Sequence, residues 1–131
     1  MDYVLDTNVA FEIAFSGPRA DEYREILENA SSVIVPDLYK SEITNVLWQY
    51  VRAGYLDEQN AKKLMIDLMN LVDNYVSAEK NSVESLHEAI RLNHSAYDMF
   101  YFTLARRYGA VLLTMDKKLK ETAEREGVQV I

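Results

Sequence analysis

The chain contains no cysteine, so it has no disulfide framework, no redox thiol and no Cys-ligated zinc or iron–sulfur centre. No stretch approaches the ~20 uninterrupted apolar residues of a membrane span. Met1 leads straight into Tyr3-Val4-Leu5, with no basic segment ahead of a long apolar run, so no signal peptide is expected. A cytoplasmic protein without membrane contact is the expectation. With only four glycines and two prolines there is no linker, repeat or low-complexity run, and residues 1–131 read as a single domain. Positive charge is also short: 14 Lys and Arg stand against 21 Asp and Glu, for a formal net charge of −7. A domain that binds nucleic acid chiefly by electrostatics is basic. A non-catalytic DNA or RNA clamp is therefore disfavoured, whereas a protein that gathers carboxylates for a purpose is not.

What is present alternates in hydrophobic period. Tyr3 to Leu5, Val33 to Val35 and Val111 to Leu113 are short apolar, β-branched-rich runs that predict buried strands. Tyr75-Val76 predicts a brief strand and Val128 to Ile131 a final one. Helices are predicted for Val9 to Phe15, Asp21 to Asn29, Asp37 to Ala53 with Asp37 as N-cap, and from Asp57. Three more follow: Asn81-Ser82 to about Leu92, Ala96 to Tyr108 behind Ser95, and Lys117 to Glu126. Near-continuous apolar strands alternating with helices predict an α/β fold, a single domain with a mostly parallel central sheet flanked by helices on both faces. In such sheets, sites lie beyond the C-terminal ends of the strands.

Four carboxylates fall where that rule points. Asp6 directly follows the first strand, and Asp116 lies just past the strand ending at Leu113-Thr114. Asp98 sits in the first turn of its helix, about 60° round from Tyr101 and so on the apolar side. Glu42 is one turn into the long helix, with no cation three or four residues away. Each also has an ordinary structural role open to it. Asp6 and Asp116 could be N-caps, Asp98 the acidic member of a Ser95-x-x-Asp98 capping box, and Glu42 half of a surface ion pair. Together they point to a metal site, because packed carboxylates repel unless a cation is bound. An all-oxygen set suits a hard ion such as Mg²⁺ or Mn²⁺, and such ions serve phosphodiester hydrolysis.

The sequence Leu5-Asp6-Thr7-Asn8 resembles the opening signature of PIN-domain ribonucleases. The segments Ser41-Glu42-Ile43-Thr44-Asn45-Val46-Leu47, Ala96-Tyr97-Asp98 with Leu104-Ala105, and Leu112-Leu113-Thr114-Met115-Asp116-Lys117-Lys118-Leu119 match in the same order. Within that family the chain resembles the VapC toxins of type II toxin–antitoxin pairs, over essentially its whole length. The resemblance implies a Mg²⁺- or Mn²⁺-dependent endoribonuclease that cuts RNA, a homodimer, and inhibition by a small antitoxin protein. It implies Asp6 and Asp98 as the main direct ligands. Asp116 and Glu42 would ligate through water, position the attacking water or bind a second ion. Thr7, Asn8 and Thr114 would orient carboxylates or water.

Other residues read as structural. His94 precedes the helix cap and is expected to be solvated, and His87 to lie on the surface. Tyr39, Tyr50, Tyr97, Tyr101 and Tyr108 fall on helix stripes and are expected in the core. Lys117, Lys118, Lys120, Arg106 and Arg107 are candidates for an RNA-backbone rim. Of the rival functions, a phosphoaspartate receiver lacks a suitable Lys after its last strand. A haloacid-dehalogenase-type phosphatase lacks a second Asp, since Asn8 stands in that place. No Gly-rich phosphate loop or dinucleotide fingerprint is present. A PIN-domain nuclease of RNA maturation or decay is the nearer alternative, though such enzymes often carry further domains.

Overall fold

The computed structural model describes residues 1–131. Four strands, β1 (Asp2–Leu5), β2 (Ser32–Pro36), β3 (Asn74–Val76) and β4 (Val111–Leu113), form one parallel sheet in the order β3-β2-β1-β4. The register sets Val4 of β1 between Ile34 and Leu112. Successive strand residues therefore feed opposite cores. Val4, Ile34 and Leu112 join one apolar cluster, whereas Leu5, Val33, Val35, Val111 and Leu113 join the other. Burial on both faces is why these strands are apolar without alternation.

The helices α1 (Thr7–Ala14), α2 (Ala20–Glu28), α3 (Leu38–Arg52) and α4 (Glu58–Asn70) cover one face. The helices α6 (Ala96–Tyr108) and α7 (Lys117–Arg125) cover the other, and α5 (Ser82–Leu92) packs outside α6. A short 3-10 turn, Ala78–Lys80, joins β3 to α5. α5 is inverted in polarity: it buries Ser85 and Glu88 and exposes Val83, Leu86 and Ile90. Its inward polar atoms are satisfied, Ser85 by Thr103 and Glu88 by Arg91 and Arg106.

Three expectations are corrected. Val128 to Ile131 is not a full strand: it meets β4 in a single parallel bridge, Leu112 to Val130. Its backbone still runs beside β4, through the Leu112 N–H to Gln129 O, the Ile131 N–H to Leu112 O and the Thr114 N–H to Ile131 O. Asp37 does not cap α3. Its backbone is already helical, and its carboxylate accepts the Ala78 N–H at 3.1 Å, tying the exit of β3 to the start of α3. Tyr39 and Tyr101 are buried as expected, but Tyr50, Tyr97 and Tyr108 are exposed. These three lie in the end turns of α3 and α6. A 13-residue helix spans about 20 Å and a three-residue strand about 10 Å, so helix ends overhang the sheet.

Candidate active site

Asp6 leaves the C-terminal end of β1 and caps α1, its Oδ1 accepting the Thr7 N–H at 2.7 Å. Its other oxygen is held from β4 and α1: the Thr114 hydroxyl donates to Oδ2 at 2.8 Å and the Asn8 amide at 3.2 Å. Asn8 is fixed in turn, since its Oδ1 accepts the Met115 N–H at 3.0 Å. Thr114 also accepts the Asp116 N–H at 3.1 Å. Asp116 caps α7 through the Leu119 N–H at 3.0 Å. The capping role and a place at the functional edge of the sheet thus coincide for Asp6 and Asp116, because a strand that feeds a helix leaves its cap at that edge.

Asp98 and Glu42 approach from the two helical layers. Asp98 makes no bond with Ser95, whose side chain caps nothing, so the capping box is not formed. Its nearest basic neighbour is His94, with Nε2 3.7 Å from Oδ2. Glu42 has one hydrogen-bond partner, the Tyr101 hydroxyl at 2.7 Å. None of the four carboxylates forms an ion pair with a lysine or arginine.

Burial without a paired lysine or arginine shows in the proton affinities of three of them. Burial pushes the Asp6 carboxyl up to about 6, against the Thr114 hydrogen bond and with help from Asp98 and Asp116. Burial likewise pushes Glu42 up to about 7, against the Tyr101 hydrogen bond and with help from Asp6 and Asp98. Asp98 is raised by burial and by Asp116, and lowered by Lys118. The carboxylates feel one another's charge: Asp6 that of Asp98 and Asp116, Glu42 that of Asp6 and Asp98, and Asp98 that of Asp116. As placed, no three acidic or histidine side chains converge tightly enough to hold an ion. The donor set nevertheless has the chemistry that suits a hard cation: all oxygen, partly dehydrated and without an ion pair to lysine or arginine.

Two residues escaped the sequence reading. His94 is buried rather than solvated; its Nδ1 has no partner, and burial lowers its proton affinity. The left-handed backbone of Asn93 (φ 49°) closes α5 just ahead of it. The four-residue spacing of His94 from Asp98 does not by itself put the pair on one face, because His94 precedes the cap of α6. Tyr101 was legible as buried but not as a partner of Glu42. His87 is exposed, as expected. The basic rim is reduced: Arg106 is committed to Glu84 and Glu88, and Arg107 to Glu84. Lys117 and Lys118 are exposed, Lys120 half-buried, and all three are free of ion pairs.

The PIN domain family model matches residues 3–125. The chain belongs to the PIN-domain family. This PIN domain is 27% identical over 128 residues to Ribonuclease VapC3 of Pyrobaculum aerophilum, covering 92% of this chain and 94% of that protein. Its fold is similar to the crystal structure of PAE2754 from Pyrobaculum aerophilum, with a TM-score of 0.78 at 21% identity, over 99% of this chain and 92% of that one. It is also similar to VapBC2 from Rickettsia felis, solved bound to a DNA fragment from its promoter, with a TM-score of 0.71 at 12% identity over 100% and 98% of the two chains. FitAB bound to the IR36 DNA fragment gives a TM-score of 0.67 at 16% identity over 98% and 93%.

Proposed function

We propose that this PIN domain is a divalent-metal-dependent endoribonuclease, the toxin of a toxin–antitoxin pair, with Asp6, Glu42, Asp98 and Asp116 as its acidic centre. The observation that carries this reading is the set of four carboxylates from four elements around one sheet edge, none paired with a lysine or arginine and three held above their ordinary proton affinity. The relative named Ribonuclease VapC3 supports the substrate, and the two-component neighbours VapBC2 and FitAB support a protein partner.

Asp6, Asp98, Asp116 and Glu42 would hold Mg²⁺ or Mn²⁺, which when bound orients and deprotonates water and stabilises charge on the attacked phosphate. Thr114, Asn8 and the Thr7 N–H hold both Asp6 oxygens, so this carboxylate is oriented before anything binds. Glu42 and Asp116 would position an attacking water and accept its proton, directly or through a second water. Lys117 and Lys118 supply free positive charge beside the site for the RNA backbone. A cytoplasmic location, a homodimer and a small inhibitory antitoxin belong to the same reading.

Purified protein should cut RNA with Mg²⁺ or Mn²⁺, leaving 5′-phosphate and 3′-hydroxyl ends, and chelator should stop it. Undiminished cleavage in excess EDTA, or 2′,3′-cyclic phosphate products, would rule the mechanism out.

A further inference from the structure

Glu42 and Tyr101 come from opposite sides of the sheet. The α3 residues Tyr39, Ile43 and Leu47, which flank Glu42, belong to one apolar cluster, whereas Tyr101 belongs to the other with Met99, Phe102 and Leu104. Their hydrogen bond, 2.7 Å long, is the one side-chain hydrogen bond between α3 and α6. The two ends differ in freedom. Tyr101 is 1% exposed and its ring is packed on all sides. Glu42 is a half-buried, rotamer-rich side chain with no other polar partner. The immobile group therefore sets the position of the mobile one. Tyr101 also follows Asp98 by one helical turn, so α6 both presents one carboxylate and steers another.

We propose that Tyr101 is a positioning residue that holds the Glu42 carboxylate toward Asp6 and Asp98, so that Glu42 contributes to cation binding. The inference rests on the metal-centre reading above. Hydrogen-bonding partners of ligating carboxylates commonly change metal affinity by about 10–100-fold when removed. Tyr101 is such a partner, contributed by the core, and without it Glu42 is free to turn into solvent. A tie that served only to join the two helical layers would stabilise the fold without touching cation affinity.

The test is Mn²⁺ titration by calorimetry on the full chain, with melting temperatures in parallel, for wild type, Tyr101→Phe, Glu42→Gln and the double variant. Tyr101→Phe is expected to weaken Mn²⁺ binding by at least about tenfold. In the Glu42→Gln background the same change is expected to have no further effect, because its target is gone. Glu42→Asp, which keeps the charge but falls one methylene short of the hydroxyl, is expected to weaken binding as Tyr101→Phe does. This variant alters no core residue and carries the test should Tyr101→Phe fold poorly. Unchanged affinity in Tyr101→Phe or Glu42→Asp, or an equal loss with and without Glu42, overturns the positioning role. A folded wild type that binds no Mn²⁺ overturns the metal centre itself.

Discussion

The Thr114 hydroxyl donates to Asp6 Oδ2 at 2.8 Å, a contact between residues 108 positions apart in the chain. It exists because β4 lies parallel beside β1, with Leu113 in register with Leu5, so the residue after each strand emerges at the same edge. The same hydroxyl accepts the Asp116 N–H, and one small side chain thereby links the Asp6 carboxylate to the backbone of Asp116.

Thr114→Val keeps the shape and removes the hydroxyl. Asp6 loses its closest side-chain donor and the Asp116 N–H its acceptor, for a cost of about 1–2 kcal/mol in stability. Mn²⁺ affinity is expected to fall by about 10–100-fold. Calorimetry checks this, and a variant binding Mn²⁺ as tightly as the wild type would contradict the role given to Thr114.

Asp6 makes the metal-free protein sensitive to pH. Its ordinary value is 3.8, and burial raises it to about 6 in the folded state. The folded protein therefore binds this proton more tightly than the unfolded chain. The stability is fully present below the unfolded value and is lost as pH rises through the folded one. Asp6→Asn cannot titrate and, as a good N-cap, preserves the start of α1. In chelator, its melting temperature should gain on the wild type as pH rises from about 4 to about 7. A difference that stays flat over that window would mean that Asp6 is not strained by burial.

Much of this was legible because burial leaves a simple trace. Val33 to Val35 and Val111 to Leu113 are apolar throughout since each strand feeds both cores, and the carboxylates just past β1 and β4, Asp6 and Asp116, fall at the edge where sites are expected. The remainder is tertiary. Periodicity puts Tyr101 on a buried stripe but cannot say that its hydroxyl meets a residue of α3. His94 read as solvated because nothing local reveals that the turn at Asn93 folds it inward beside Asp98. For α5 only the span was legible; that its polar side faces inward depends on Asn81, Thr103 and the Glu88 ion pairs, which are tertiary. Tyr50, Tyr97 and Tyr108 fit the helical stripes, and only the shortness of the strands leaves them outside.

The inhibitory partner should place a cationic side chain, Arg by preference, among the carboxylates. A guanidinium pairs bidentately with carboxylates and supplies the positive charge the site lacks. Mn²⁺ should then bind the complex far more weakly than the free protein. Equal Mn²⁺ affinity with and without the partner would mean that inhibition acts elsewhere.

Asp98→Asn tests most directly the claim that the carboxylates serve a metal-dependent chemistry rather than the fold. Asp98 closes no capping box, so the fold has little to lose, and removing one of several mutually repelling charges should leave the metal-free melting temperature unchanged or higher. Mn²⁺ should stabilise the wild type by linkage and the variant less. The deciding measurement is the rate of RNA cleavage by this variant in Mn²⁺. It is expected to fall at least ~10²-fold, corresponding to about 3 kcal/mol of transition-state stabilisation. A variant that cleaves at the wild-type rate while melting lower with and without Mn²⁺ would contradict the account and return Asp98 to a purely structural role.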